Sequence, residues 1–269
     1  MAAKFGMIGG GVMGEALLAR LLKEQIYLPA DVIVSEPVAE RRAYLQQEYQ
    51  VGVTASNQEA AIASEVLMLA IKPQIFNQVS TELQGQQLET PPLVLSILAG
   101  VTLAQLQGGF RDYPVVRAMP NTPAIIGQGM TAITPGDRVS EAQVALAKRI
   151  FGAVGEVVAV PESLMDAVTG LSGSGPAFVA LMVEALADGG VAAGLPRATA
   201  QQLALQTVKG TAELLQTSGL HPAQLKDRVT SPGGTTIAGV AALEAHGFRS
   251  GVIAAVTAAK ARSVELGQG

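Results

Sequence analysis

The sequence has no cysteine and no tryptophan, and only two histidines. No disulfide can form, and a thiolate or multi-histidine metal site is excluded. No Asp/Glu cluster offers a carboxylate cage instead, so no metal is expected. Aromatic residues make up 4% of the chain and charged residues 15%. With 18 Lys plus Arg against 22 Asp plus Glu, the net charge is −4. There is no basic block, so nucleic acid is not an expected partner. No signal-peptide pattern stands at the N-terminus, and a cytoplasmic location is expected. The uncharged stretches Pro91 to Phe110 and Ala167 to Val183 are long enough to raise a membrane question, but Pro, Gly, Ser and Gln interrupt them. Buried core is the expected explanation, with no membrane partner.

What the 269 residues do contain is aliphatic side chains and glycine: 49% of the chain is hydrophobic and 30 residues are Gly. Phe5 to Ile8 is a short apolar run leading into Gly9-Gly10-Gly11-Val12-Met13-Gly14, after which Ala16, Leu17, Leu18, Leu21 and Leu22 repeat at helical spacing. Strand, glycine turn and helix in that order are the context a dinucleotide fingerprint requires. Gly9 allows the tight turn, Gly11 lets backbone approach a pyrophosphate, and Gly14 lets the helix pack on the strand. Further strands are expected at Val32 to Ser35, Val66 to Ala70, Leu93 to Ser96 and Val115 to Ala118, with helices at Ala39 to Tyr49 and Gln74 to Leu83. This alternation predicts a parallel, doubly wound α/β sheet. Gly129 to Ile133 and Glu156 to Val160 add strands around a helix at Glu141 to Phe151.

After Pro161 the strand pattern stops. The expected division is a Rossmann-type domain over 1–161 and an all-helical domain over 162–269. Charges in the second part are too sparse to give each helix a wide polar face, so its helices need burial on several sides. A dimer with intertwined helices, or a multiple of such dimers, follows.

Chemistry-bearing residues collect at the strand ends and in one late loop. Glu36 closes the second strand, after Ser35. An acid there accepts the ribose hydroxyls of NAD and repels a 2′-phosphate, although Arg41 and Arg42 could swing onto one. Asn57, where the helix after the third strand begins, is placed to cap that helix and to reach the adenosine ribose as well. Ala70-Ile71-Lys72 and Ala99 lie at the carboxyl edge, where open sheets bind ligands. Lys72 faces either a phosphate and the nicotinamide or plain solvent. Asn121, between two prolines, is a site residue or a turn-former. Ser231-Pro232-Gly233-Gly234-Thr235-Thr236 precedes a helix expected from about Thr236 to Ala245. The backbone N–H groups of Gly233 to Thr236 can converge on a carboxylate; the alternative is that Ser231 or Thr235 merely caps the helix. His221 and His246 sit at a helix start and a helix end, where structural duties suffice.

Taken together, Gly9 to Gly14, Ala70 to Pro73, Met119 to Pro123, Leu171 to Ala177, His221 to Asp227, Ser231 to Thr236 and Gly247 to Ser250 resemble the pyrroline-5-carboxylate reductases over nearly the whole chain. That resemblance implies reduction of 1-pyrroline-5-carboxylate to L-proline with NADPH, or with NADH. It places cofactor contacts at Gly9, Gly10, Gly11, Val12, Met13, Gly14, Ser35, Glu36, Asn57, Ala70, Ile71, Lys72, Ala99 and Asn121. Substrate contacts fall on Ser231, Gly233, Gly234, Thr235 and Thr236, with Glu162 as a secondary candidate that otherwise reads as a surface residue. The chemistry needs a hydride donor, a carboxylate anchor and a polar group at the ring nitrogen, a role assigned to the Thr236 hydroxyl.

Two departures stand out. Family members often carry an acid where this chain has Leu220, and a small hydroxyl residue where it has Glu36. Two rivals are a beta-hydroxyacid dehydrogenase and a protein that senses NAD(P)H without turnover. The first needs a lysine where this chain has Val179, and the second has no need of a second anion seat.

Overall fold

In the computed structural model, residues 3–63, 65–85, 88 and 90–267 are described. They divide into two compact units, residues 1–173 with 259–269, and residues 174–258.

The first unit is built on β1 (Phe5–Ile8), α1 (Val12–Lys23), β2 (Val32–Ser35), α2 (Ala39–Tyr49), β3 (Gly52–Thr54), α3 (Asn57–Ala61), β4 (Val66–Leu69), α4 (Phe76–Leu83), β5 (Leu93–Ser96), α5 (Leu103–Gly109), β6 (Val115–Met119), β7 (Gly129–Pro135), α6 (Glu141–Gly152), β8 (Gly155–Ala159) and the short α7 (Met165–Val168). The eight strands lie in one sheet in the order β3-β2-β1-β4-β5-β6-β7-β8. Strand order reverses between β1 and β4, which opens the crevice where such sheets bind ligands. The first six strands are parallel, as expected, but β7 runs antiparallel to β6, and β8 pairs parallel with β7. A nine-residue link from β6 to β7 has no room for the crossover helix that a parallel pairing demands, so the chain turns back on itself.

Side-chain alternation divides the apolar residues between the two faces. On β4, Val66 and Met68 join the layer that holds Leu17, Leu21, Leu45 and Phe151, whereas Leu67 and Leu69 join Phe76, Val79 and Leu106 on the other side. All four β4 side chains are fully buried, each contributing roughly 1.5–3 kcal/mol of transfer free energy.

One charged pair lies inside this layer structure. Arg117 of β6 is 4% exposed, and its guanidinium donates to Glu162 Oε1 at 2.5 Å. The same oxygen accepts from the Leu103 amide at 2.9 Å. The pair ties β6, the start of α5 and the turn after β8 together. Glu162 Oε2 is buried and has no partner among the described residues. The alternative of a plain surface residue is therefore corrected: an arginine buried in a strand must find an anion, and Glu162 is that anion.

The second unit comprises α8 (Gly175–Ala192), α9 (Arg197–Ser218), α10 (Pro222–Arg228), α11 (Thr235–Ala245) and the first half of α12 (Phe248–Gly267). Its buried cluster is small: Ala187, Ala200 and Ala204, with Val183 and Val191 beside them. Leu181, Leu205 and Ile253 remain 65%, 61% and 66% exposed. Within one chain the expectation of buried core for Ala167 to Val183 fails. The stretch Glu162–Ala192 is long and apolar enough to cross a membrane by length and composition, and only 6% of its apolar window is buried. Helix α8 has only Glu184 and Asp188 as charged residues along its length, too few for a solvent face.

Arg117→Met should lower unfolding stability by about 3 kcal/mol, the low end for a broken buried pair because Glu162 retains a third of its side-chain exposure. Glu162→Gln, which still accepts from Leu103, should cost less. Denaturant midpoints at one fixed protomer concentration test this, and a loss under about 1 kcal/mol in Arg117→Met would remove the pair from the fold's supports.

Candidate active site

The glycine turn after β1 is shaped by what it must avoid. Gly9 has φ +102°, and a Cβ on it would stand 2.5 Å from the Ala70 carbonyl oxygen. That contact closes the gap between the ends of β1 and β4. A Cβ on Gly14 would collide with the Gly9 carbonyl, so glycine there lets α1 sit down on the strand. A Cβ on Gly11 would meet nothing within 4 Å. Gly11 is also the N-cap of α1, without any side-chain cap, and the first intrahelical bond runs from Glu15 N–H back to Gly11 O at 2.8 Å. The N–H groups of Val12, Met13 and Gly14 precede it, and Val12 is 72% exposed. Open space, first-turn donors with no partner among the described residues, and a helix dipole fit a pyrophosphate.

Gly10 has a different duty. Its N–H donates to Glu36 Oε2 at 3.0 Å, and the other carboxylate oxygen accepts from Val38 N–H at 3.1 Å. Arg41 Nε donates to the Gly10 carbonyl at 2.7 Å. The remainder of the Arg41 guanidinium pairs with Glu15, whose Oε1 also accepts from the hydroxyls of Tyr44 and Tyr49 at 2.9 and 2.8 Å. Burial raises the Glu15 pKa, but hydrogen bonds from Arg41, Tyr49 and Tyr44 outweigh it and hold the carboxyl below its ordinary range. Burial, and then Glu15 itself, pushes the Tyr49 phenol above its usual value. This cluster, which joins α1 to α2 through the glycine turn, was not foreseen. The available signal was Arg41 and Tyr44 three residues apart on one helix face.

Other expected residues are placed variously. Ser35 ends β2 and donates its hydroxyl to Asn57 Oδ1 at 2.7 Å. The cap of α3 is Ser56, which accepts from Glu59 N–H; Asn57 is the first helical residue and its amide also donates to Glu82. The expectation that Asn57 caps α3 is corrected, because Ser56 holds the extended backbone of an N-cap while Asn57 is already helical. Ala70 and Ile71 follow β4 beside the glycine turn, held by Ala70 N–H to Ile8 O at 2.8 Å. Lys72 is exposed and makes no hydrogen bond or ion pair among the described residues. Ala99, beyond β5, is exposed. Asn121 is a bracket: Oδ1 accepts from Met130 N–H at 2.8 Å and Nδ2 donates to Ser172 O at 3.1 Å. Arg117 was missed, although a lone arginine in an apolar strand run signals a buried partner.

In the second unit, Gly233 takes the left-handed conformation at φ +68°, and the Gly234 N–H donates to Ser231 O at 3.1 Å. That amide closes a turn, so its expected part in holding a carboxylate passes to the amides beyond it. Helix α11 begins at Thr235, one residue earlier than expected, with Gly234 as N-cap and no side-chain cap. Neither Ser231 nor Thr235 caps it. Ala238 N–H to Gly234 O is the first intrahelical bond, so the amides of Thr235, Thr236 and Ile237 precede it. Thr235 and Thr236 are exposed, and among the described residues their hydroxyls have no hydrogen-bond partner. His221 N-caps α10 through its Nδ1, which accepts from Ala223 N–H at 3.2 Å, and His246 ends α11.

Comparison with known proteins covers both units. Residues 162–266 match the family described as pyrroline-5-carboxylate reductase dimerisation, and residues 4–100 match that described as NADP oxidoreductase coenzyme F420-dependent. A pyrroline-5-carboxylate reductase from Synechocystis sp. is 63% identical over all of both chains. The solved structure of a pyrroline-5-carboxylate reductase from Coxiella burnetii superposes with a TM-score of 0.92 at 34% identity, covering 99% of each chain. That of the Plasmodium falciparum enzyme with NADP bound has a TM-score of 0.88 at 32% identity over 98% of each. A Rossmann-type sheet with a free-standing glycine turn, a helical segment of the dimerisation type and full-length identity of this order lead to one assignment: this chain belongs to the pyrroline-5-carboxylate reductase family.

Proposed function

We propose that this chain reduces 1-pyrroline-5-carboxylate to L-proline with NADPH as reductant and NADH as an alternative. The reaction is a metal-free hydride transfer that completes a proline-forming sequence. The observation that carries this reading beyond the family is the start of α11. There a glycine N-cap leaves first-turn amides and the Thr236 hydroxyl exposed without an internal partner. Such an arrangement suits a small carboxylate with a polar atom two or three bonds away, as in a cyclic imino acid.

We assign the roles to a cofactor domain over 1–161 and a substrate and dimerisation domain over 162–269. In the first, the amides at the start of α1 hold the pyrophosphate and the space over Gly11 admits it. Ala70, Ile71, Lys72 and Ala99 line the carboxyl edge, Asn121 positions backbone, and Asn57 holds the Ser35 hydroxyl at the end of β2. The cofactor supplies the hydride. In the second, the amides of Thr235 and Thr236, with Gly233 setting the turn and Ser231 anchoring it, orient the substrate carboxylate. The Thr236 hydroxyl meets the ring nitrogen. Hydride addition to the imine carbon converts the C=N bond to C–N, and the nitrogen takes up one proton, through the Thr236 hydroxyl or a water on it. Glu162, tied to Arg117, is left out of the proton path. Cytoplasm is the compartment in which we place the enzyme.

The dimerisation-family match over residues 162–266 assigns self-association to the helical segment. We take the apolar faces of α8, α9 and α12 to be what a second copy covers.

Purified protein should oxidise NADPH or NADH when given the imine, and should not reduce NAD(P) with small 3-hydroxy acids. Comparable turnover of hydroxy acids, followed by cofactor absorbance, would sink the assignment. Light scattering at micromolar concentration should find at least a dimer; a stable, active monomer would contradict the proposed role of these faces.

Thr236→Val keeps the β-branched shape and the backbone amide while deleting the hydroxyl. The kcat should fall about 10- to 1,000-fold with little change in cofactor affinity, because the lost bond strengthens as the nitrogen becomes an amine. Near-normal kcat would leave the loop as a binding seat only and send the search for the proton donor to water or Lys72.

A further inference from the structure

The end of β2 is set up for a ribose hydroxyl rather than a phosphate. Glu36 is 9% exposed, and each of its carboxylate oxygens already accepts one backbone N–H, from Gly10 and from Val38. An ionised carboxylate has about four acceptor positions, so roughly two remain for further donors. Two vicinal hydroxyls supply two donors. A 2′-phosphate supplies none and brings a second anion next to the first. The carboxylate cannot turn aside cheaply either. Leaving its place strands the Gly10 amide, which is buried under Leu45 of α2.

The two nearby cations do not relieve this. Arg41 is held by the Gly10 carbonyl, by Glu15 and over the ring of Tyr44 at 4.9 Å. Arg42 donates one terminal nitrogen to the carbonyls of Glu36 and Pro37, at 2.6 and 2.8 Å. Its other donors stay available, which gives NADPH a route of its own. We infer that Glu36 makes this chain a dual-cofactor enzyme that accepts NADH at least as readily as NADPH, with the fixed carboxylate as the discriminating group and Arg42 as the residue that keeps NADPH in use. This deepens the reductase reading in the choice of cofactor, and rests on it only for the use to which the bound nucleotide is put.

The test measures binding without turnover. ADP-ribose and its 2′-phosphorylated form are titrated calorimetrically into the full-length protein, with no imine present. The native chain should bind ADP-ribose at least as tightly as the 2′-phosphate. Glu36→Ser should shift the ratio of the two dissociation constants about 10-fold or more toward the phosphate. Glu36→Gln, which keeps an acceptor for an amide N–H and removes the charge, should shift it in the same direction, so a folding defect in one variant does not mask the effect. Arg42→Ala should weaken the 2′-phosphate selectively. A native preference of more than about 10-fold for the 2′-phosphate, or a ratio unmoved in folded Glu36→Gln, overturns the inference. Because no imine enters the titration, a chain that binds as stated but fails to reduce the imine would refute the reductase reading and leave this one standing.

Discussion

The α-carbon of Gly9 lies against the carbonyl of Ala70, and most of the first unit's functional geometry follows from that approach. Strands β1 and β4 are parallel neighbours in register, Ile8 beside Leu69, so both chains leave the sheet at the same level. A side chain at position 9 would drive them apart. With glycine there, at a φ that L side chains rarely adopt, the turn folds tightly enough to aim α1 at the crevice where strand order reverses. Gly10 then presents its N–H to Glu36 and its carbonyl to Arg41. In this way β1, α1, β2 and α2 are locked through one residue, and the remaining amides at the start of α1 stand next to it.

Much of this was legible in the sequence because it depends on local pattern. Apolar runs gave the strands, glycine spacing gave the turn, and Ala16 to Leu22 gave the face of α1. Long-range pairing left no such trace. Glu162 and Arg117 are 45 residues apart and meet only because β6 and the end of β8 arrive at the same edge; nothing around Glu162 distinguishes it from a surface acid. The reversal of β7 was also hidden, since an antiparallel strand and a parallel one share the same apolar alternation and differ only in what connects them. At Asn57 the reading erred by one position, because Ser56 and Asn57 are both competent caps and backbone geometry chooses between them. The loop from Ser231 to Thr236 was read correctly as a turn before a helix. Which of its amides the turn itself consumes was not visible.

The second unit follows another logic. Ala187, Ala200 and Ala204 allow α8 and α9 to approach closely, but three alanines bury too little surface to hold five helices. Large aliphatic side chains that a lone domain would bury point outward instead. That outward-facing surface accords with the match of residues 162–266 to the dimerisation family.

The helices differ in whether a side chain takes up a first-turn amide. Helices α5 and α6 open with capping boxes from Thr102 and Ser140, and α10 with one from His221; each side chain takes up an amide that would otherwise seek a partner. Helices α1 and α11 open on Gly11 and Gly234, with no side-chain cap at either. Exchanging a polar cap for glycine costs only a few tenths of a kcal/mol, whereas alanine there costs about 1 kcal/mol. Glycine is thus the residue that leaves first-turn amides open to an anion at the least expense to the helix. Among the helices that follow a glycine, α1 and α11 are the two that the proposed chemistry needs, one for a pyrophosphate and one for a carboxylate. A serine or threonine at either position would bring its own oxygen to the N2 or N3 amide and compete with the ligand for the same donors.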